Sequence, residues 1–173
     1  MKQNTLFASA ALFLSAQAAE GTFDYKQQGD DWTGTCASGR EQSPIDFHAL
    51  GMAYSEKLNL ATEGYINYSP LTVTNTGDTI KASGVTDGVF TKTFWDGSEA
   101  KFVPLQFHFH APSEHTIGGL HYDLEMHVVH TYEDGSLGGV IGILFDRVLG
   151  GQENNSLLSS INAASVSPAG TSR

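Results

Sequence analysis

Through the middle of this chain, apolar and polar residues alternate with a period of two, the pattern of half-buried β-strands. Gln106, His108 and His110 fall at i, i+2 and i+4, with Phe107 and Phe109 between them. A strand over 102–110 would turn the three polar side chains to one face and the two aromatic rings to the other. The pattern repeats over 124–131, where Glu125, His127 and Val129 share a face opposite Leu124, Met126 and Val128. Weaker alternation at 65–68, 71–75, 80–82 and 89–94 predicts shorter strands, separated by Pro70, Gly77 and the turn signals Ser83-Gly84 and Asp87-Gly88. Asp96-Gly97, Gly118-Gly119 and Asp134-Gly135 mark further turns. The run 139–145 is apolar throughout and is expected to be buried on both faces. A helical period occurs at 155–163, through Leu157, Leu158 and Ile161, with Asn154 or Asn155 available as a cap. Residues 20–42 have no helical period and read as an irregular arm, and 165–173 as a frayed polar tail. With no repeat and no internal boundary, the pattern predicts one mainly β domain over 19–164 with few short helices.

The first residues lie outside that pattern. Lys2, the apolar run 6–14 and the small residues Ala16 and Ala18 form the sequence of a secretory leader over 1–18. No apolar run is long enough to span a membrane. The leader predicts passage through the secretory pathway, to an extracellular, periplasmic or organelle-lumen destination. Without residues 1–18 the chain loses one base, Lys2, from 9 Lys and Arg, and keeps 8 against 19 Asp and Glu, a net charge of −11. Such an acidic surface argues against nucleic acid or anionic lipid as a partner and leaves small neutral substrates open. Cys36 is the single cysteine, which in a secreted chain implies a missing disulfide partner or an exposed thiol. Asn67-Tyr68-Ser69 and Asn154-Asn155-Ser156 match the acceptor pattern for N-glycosylation, a triplet that is common by chance.

Six of the seven histidines lie between 104 and 146. Taken singly, a histidine is more often a hydrogen-bonded structural residue than a ligand. The strand phasing changes that balance, because two adjacent strands would aim His108, His110 and His127 at one point. Zn²⁺ accepts three imidazoles and keeps a fourth tetrahedral position for water. A ligating histidine donates its other ring N–H to an acceptor, and Gln106 and Glu125 stand two residues before His108 and His127 on the same faces. A competing pattern is the His-x-His-x-x-x-Glu of cupin barrels, through His108, His110 and Glu114, which would imply iron or manganese. It lacks the glycine ahead of the histidines and the second cupin motif, and ranks behind.

Four ordered motifs, Gln42-Ser43-Pro44-Ile45, Gln106-Phe107-His108-Phe109-His110, Ser113-Glu114-His115-Thr116 and Glu125-Met126-His127-Val128-Val129-His130, resemble the signatures of α-class carbonic anhydrases. The resemblance implies a twisted, mostly antiparallel central sheet with few helices. It implies reversible hydration of CO2 to bicarbonate, with Zn²⁺ on His108, His110 and His127, and Gln106 and Glu125 behind them. By the same resemblance Glu114 accepts a hydrogen bond from a threonine that orients the nucleophile. Val129 and Val140 line an apolar CO2 pocket, Tyr25 and Asn75 belong to a solvent network, and His115 and His130 are structural. His121 and His48 are expected to be solvated.

Two departures from the family pattern bear on activity. Asp78 stands where a proton-relay histidine is expected, and a carboxylate, already ionised at neutral pH, relays protons poorly there. The family's C-terminal part, with its Thr-Thr-Pro-Pro segment, last strands and the cysteine that pairs with the Cys36 position, has no counterpart before Arg173. The resemblance therefore implies an incomplete domain with weak activity, able to self-associate through an exposed sheet edge or Cys36. The alternatives are a non-catalytic binding module and a fragment of a longer enzyme.

Overall fold

The computed structural model describes residues 26–27, 29–41, 43–48, 60–64, 71–85, 87–94, 96–147 and 155–161. Its strands are β1 (Asp46–Phe47), β2 (Leu60–Glu63), β3 (Thr72–Asn75), β4 (Ile80–Ser83), β5 (Val89–Thr93), β6 (Glu99–His110), β7 (Thr116–Ile117), β8 (Leu120–His121), β9 (Leu124–Thr131) and β10 (Leu137–Phe145). The two helices are α1 (Thr35–Ser38) and α2 (Ser156–Ile161). The main sheet is antiparallel and runs β10-β9-β6-β4-β3. β6 is long enough to hold two neighbours on one side: its first half pairs with β5, which pairs with β2, and its second half pairs with β4.

The register makes the sheet two-faced. Phe107 lies beside Val128 and Ala82, and Phe109 beside Met126, while His108 lies beside His127 and Lys81. On the apolar face Ala82, Phe107, Phe109 and Met126 are buried together with Val85, under Leu157, Leu158 and Ile161 of α2. Asn155 caps that helix, its side-chain oxygen accepting the Leu158 N–H at 3.1 Å. A second aromatic group joins β5, β6 and β9. The Phe90 and Phe102 rings stack at 4.4 Å, and His130 meets Phe90 edge-on at 4.5 Å.

Strict alternation along β6 would put Phe102 and Pro104 on the histidine face. A bulge prevents it. The pairing with β9 slips by one residue between Pro104 and Gln106, leaving Leu105 exposed. Phe102 and Pro104 are therefore buried on one side of the slip, and Phe107 and Phe109 on the other.

A smaller sheet, β1-β7-β8, holds the loop after β6. Gly118 and Gly119, at φ 60° and 76°, make the tight turn between β7 and β8, a backbone that favours glycine. Asp46 ties the two sides together, accepting from Thr116 Oγ1 at 2.7 Å and from the Gly119 N–H at 2.9 Å.

Three expectations need correction. The run 139–145 is not buried on both faces: β10 has β9 on one side and no strand on the other among the described residues, and Leu137, Val140 and Ile143 are exposed. The arm contains one helical turn, α1. A strand precedes residue 65, at β2, where none was expected; the proposed strand at 65–68 lies outside the described residues, as do the leader 1–18, Tyr25, Asn67, Asn154 and the tail. No helix among the described residues is long and apolar enough to cross a membrane.

Candidate metal centre

β6 and β9 place His108 directly opposite His127, with His110 one step along the same face. One ring nitrogen from each of the three lies within 4.8 Å of the other two. The hydrogen-bond partners decide which nitrogen each ring offers. Gln106 Oε1 sits 3.0 Å from His108 Nδ1, which leaves Nε2 for the centre. Glu125 Oε1 sits 2.6 Å from His127 Nε2, which leaves Nδ1. Both expected partners are therefore where the strand phasing put them.

Two of the rings, His108 and His110, are kept neutral. Burial, reinforced by the neighbouring imidazoles at His110 and His127, lowers the His108 pKa to about 4. Burial and His127 lower that of His110 to about 4. Three converging imidazoles, with acceptors behind His108 and His127, suit a divalent first-row metal.

Glu114 looks into the same space. Its Oε2 lies 3.4 Å from His110 Nε2 and 3.6 Å from His127 Nδ1, and its side chain is 11% exposed. The histidine–glutamate set of the cupin pattern is thus brought together, but on an open antiparallel sheet.

Behind the three rings lies a chain of buried contacts. Glu125 is fully buried. Its Oε2 accepts the His115 N–H at 2.8 Å, and its Oε1 meets His115 Nδ1 at 2.5 Å as well as His127. Burial pushes the Glu125 carboxyl up, yet these hydrogen bonds outweigh it and hold the pKa below the ordinary carboxylate value. His115 stacks on Phe47 at 5.6 Å and reaches Ser43 Oγ through Nε2 at 3.4 Å. Ser113, itself buried, holds the loop that carries Glu114 and His115. Its Oγ donates to the His115 carbonyl at 2.6 Å and accepts the Tyr122 N–H at 2.8 Å. Thr79 clamps β6 between two of the ligands, its Oγ1 donating to the Phe109 carbonyl at 2.5 Å and accepting the Phe109 N–H at 3.1 Å. Ser113 appears in a quoted motif and Thr79 in none; neither role is visible without the pairing of distant strands.

The remaining expected site residues divide. Val129 and Val140 are paired across β9 and β10 on the histidine face, Val129 half-buried and Val140 52% exposed. Asn75 pairs with Ile80, on the face that carries Val73 and Ala82, and its side-chain oxygen accepts the Gly77 N–H at 2.9 Å. Asp78 is exposed in the turn between β3 and β4. His130 is sealed in the aromatic group, as expected of a structural residue. His48 is exposed beside Asp46, whereas His121 is not simply solvated: its Nδ1 lies 2.5 Å from the Ser113 carbonyl. Cys36 is exposed, in a cleft shared with Trp32, Ser43, Pro112 and Glu114.

With this geometry established, comparison with known proteins is decisive. The family model for eukaryotic-type carbonic anhydrase matches residues 27–138. The chain belongs to that carbonic anhydrase family. A carbonic anhydrase of Klebsiella pneumoniae is 40% identical over 123 residues, which cover 71% of this chain and 46% of that protein. Among solved structures, Photobacterium profundum alpha-carbonic anhydrase superposes with a TM-score of 0.59 at 34% identity, covering 79% of this chain and 57% of the other. Carbonic anhydrase Cah3 from Chlamydomonas reinhardtii, in complex with acetazolamide, superposes with a TM-score of 0.60 at 30% identity, covering 82% and 58%. The chain spans about half the length of these relatives. The cupin reading falls with this result.

Proposed function

We propose that this carbonic anhydrase homologue hydrates CO2 reversibly to bicarbonate with zinc held by His108 Nε2, His110 Nε2 and His127 Nδ1. The convergence of three imidazoles, two of them held from behind by Gln106 and Glu125, carries the proposal. Bound there, zinc supplies a Lewis acid that makes water nucleophilic at neutral pH. Gln106 and Glu125 fix the tautomers of His108 and His127, so that the donor nitrogens face inward. Glu114 Oε2, close to two of those nitrogens, is the acceptor that orients a hydrogen-bond donor brought to the centre. Val129 and Val140 supply an apolar wall beside His127 for a substrate with no hydrogen to donate. Asp78 stands at the proton-relay position of the family pattern, where a carboxylate is a poorer relay than an imidazole at neutral pH, and proton export is slow. CO2 and bicarbonate are the small-molecule partners, and copies of the chain associate through the β10 edge. The sequence of residues 1–18 supports secretion, which N-terminal sequencing of the exported chain would check.

Metal analysis and stopped-flow CO2 hydration test the reading together. The chain should hold about one zinc through its three imidazoles, and His127→Ala should lose both metal and activity. Equal zinc in the two proteins would reject this ligand set. Glu114→Gln should keep the zinc and lower turnover, on the order of 10²-fold for a lost oriented hydrogen bond.

A further inference from the structure

Gly142 stands on β10 directly across from His127 on β9. A Cβ at this position would lie 3.0 Å from Glu125 Oε1, 3.8 Å from His127 Cδ2 and 4.0 Å from His115 Nδ1. All three atoms belong to the hydrogen-bonded chain behind the metal centre. A contact of 3.0 Å is relieved if the neighbour gives way by a few tenths of an ångström. Glu125 has no room to give. It is fully buried, its Oε2 is tied to the His115 N–H at 2.8 Å, and its Oε1 is held at 2.5 Å and 2.6 Å from His115 and His127. Displacing Oε1 lengthens both ring contacts at once. His127 is the ring that follows the carboxylate, and turning it carries Nδ1 away from the other two donors.

The backbone gives no other reason for glycine here. Gly142 lies inside a strand and is not among the glycines at positive φ. Gly139, three residues earlier on β10, makes a useful contrast: a Cβ there would meet only Phe90 Cζ, at an ordinary 3.7 Å.

We propose that Gly142 is a positioning residue for the metal centre: its missing side chain leaves Glu125 the place from which it aims His127. This rests on the reading of His108, His110 and His127 as zinc ligands. It predicts that Gly142→Ala weakens zinc binding by about 10- to 100-fold, the usual effect of disturbing the groups that orient a ligand. Gly139→Ala should leave affinity unchanged.

The test measures zinc affinity by competition with a chromophoric chelator, and the visible spectrum of the Co²⁺-substituted chain, for both variants. It adds Glu125→Ala and the Gly142→Ala/Glu125→Ala pair. If Gly142 acts through the carboxylate, the methyl group costs nothing further once the carboxylate is gone, and the cycle is non-additive. The Co²⁺ bands should shift in Gly142→Ala and not in Gly139→Ala. Wild-type affinity in Gly142→Ala would overturn the proposal, as would a full additional loss on top of Glu125→Ala. Should Gly142→Ala fail to fold, rescue by Glu125→Ala supports the proposed clash and absence of rescue overturns it. A wild-type chain that binds no zinc would instead reject the ligand assignment, and this inference with it.

Discussion

His130 is sealed from solvent, and burial holds its pKa below the ordinary value although backbone hydrogen bonds at Val128 and Gly139 oppose the shift. His108 and His110 are lowered to about 4, also chiefly by burial. In the unfolded chain these imidazoles take protons near pH 6.5. Below that pH the unfolded state binds more protons than the folded one, so stability falls as pH drops from about 6.5 toward 4. Glu125 works in the same direction. Its folded pKa is depressed, so its contribution is present above the unfolded value and is lost as pH falls through the folded one. The metal-free chain should therefore show a lower urea midpoint at pH 5 than at pH 7.5; an equal or higher midpoint at pH 5 would contradict the buried, neutral state of these rings. Ser113 permits a second test. Ser113→Ala leaves the Tyr122 N–H and the His115 carbonyl without their hydroxyl partner in a buried loop, at a cost of about 1–3 kcal/mol. Denaturant titration reads that loss, and since the loop carries Glu114, turnover should fall with it. A change below about 0.5 kcal/mol would show that the loop is held by other contacts.

The histidine-bearing stretches were legible because their side chains alternate from Gln106 to His110 and along β9: β9 has the bounds its pattern predicts, and α2 contains the apolar residues that made its period visible. The bulge at Leu105 was not legible. Pro104-Leu105-Gln106 reads as continuous strand, and the slip exists only because β9 pairs across it. The edge position of β10 was missed for a related reason. An apolar run states that its residues avoid water, but not how many neighbours the strand has. A second irregularity makes this scale testable. β10 slips against β9 between Leu137 and Gly139, and the intervening Gly138 presses against the Phe90–Phe102 stack, where a Cβ would lie 2.5 Å from Phe102 Cδ1. The Phe102 ring is buried and stacked, so it has no rotamer to retreat to at low cost. Gly138→Ala should destabilise the chain by about 1–3 kcal/mol, the usual cost of overpacking. Gly139→Ala, with an ordinary contact, should cost much less. Thermal unfolding of the two variants side by side checks the difference, and equal midpoints would remove the steric argument.

The association of copies proposed above would be subject to two opposing forces. Among the described residues no strand pairs with the outer side of β10, Leu137–Phe145, nine residues with neither a charge nor a proline to discourage pairing. Leu137 and Val140 on that strand are 72% and 52% exposed. Against this, the chain carries a net charge of −10, which makes two copies repel. Repulsion between exposed charges is screened beyond roughly 10 Å at 0.1 M salt, whereas backbone pairing and apolar burial are not weakened by it. Association should therefore be weak at low ionic strength and strengthen as salt is added. Sedimentation velocity of the chain from about 10 mM to 0.5 M salt tests this, with a reducing agent present to exclude disulfides through Cys36. Leu137→Lys, which places a charge on the edge and lies at the end of β10 away from His127, should abolish the salt-driven species while leaving zinc content unchanged. Dissociation on adding salt would mean that copies meet through charged patches instead, and a Leu137→Lys variant that still associates would move the contact off this edge.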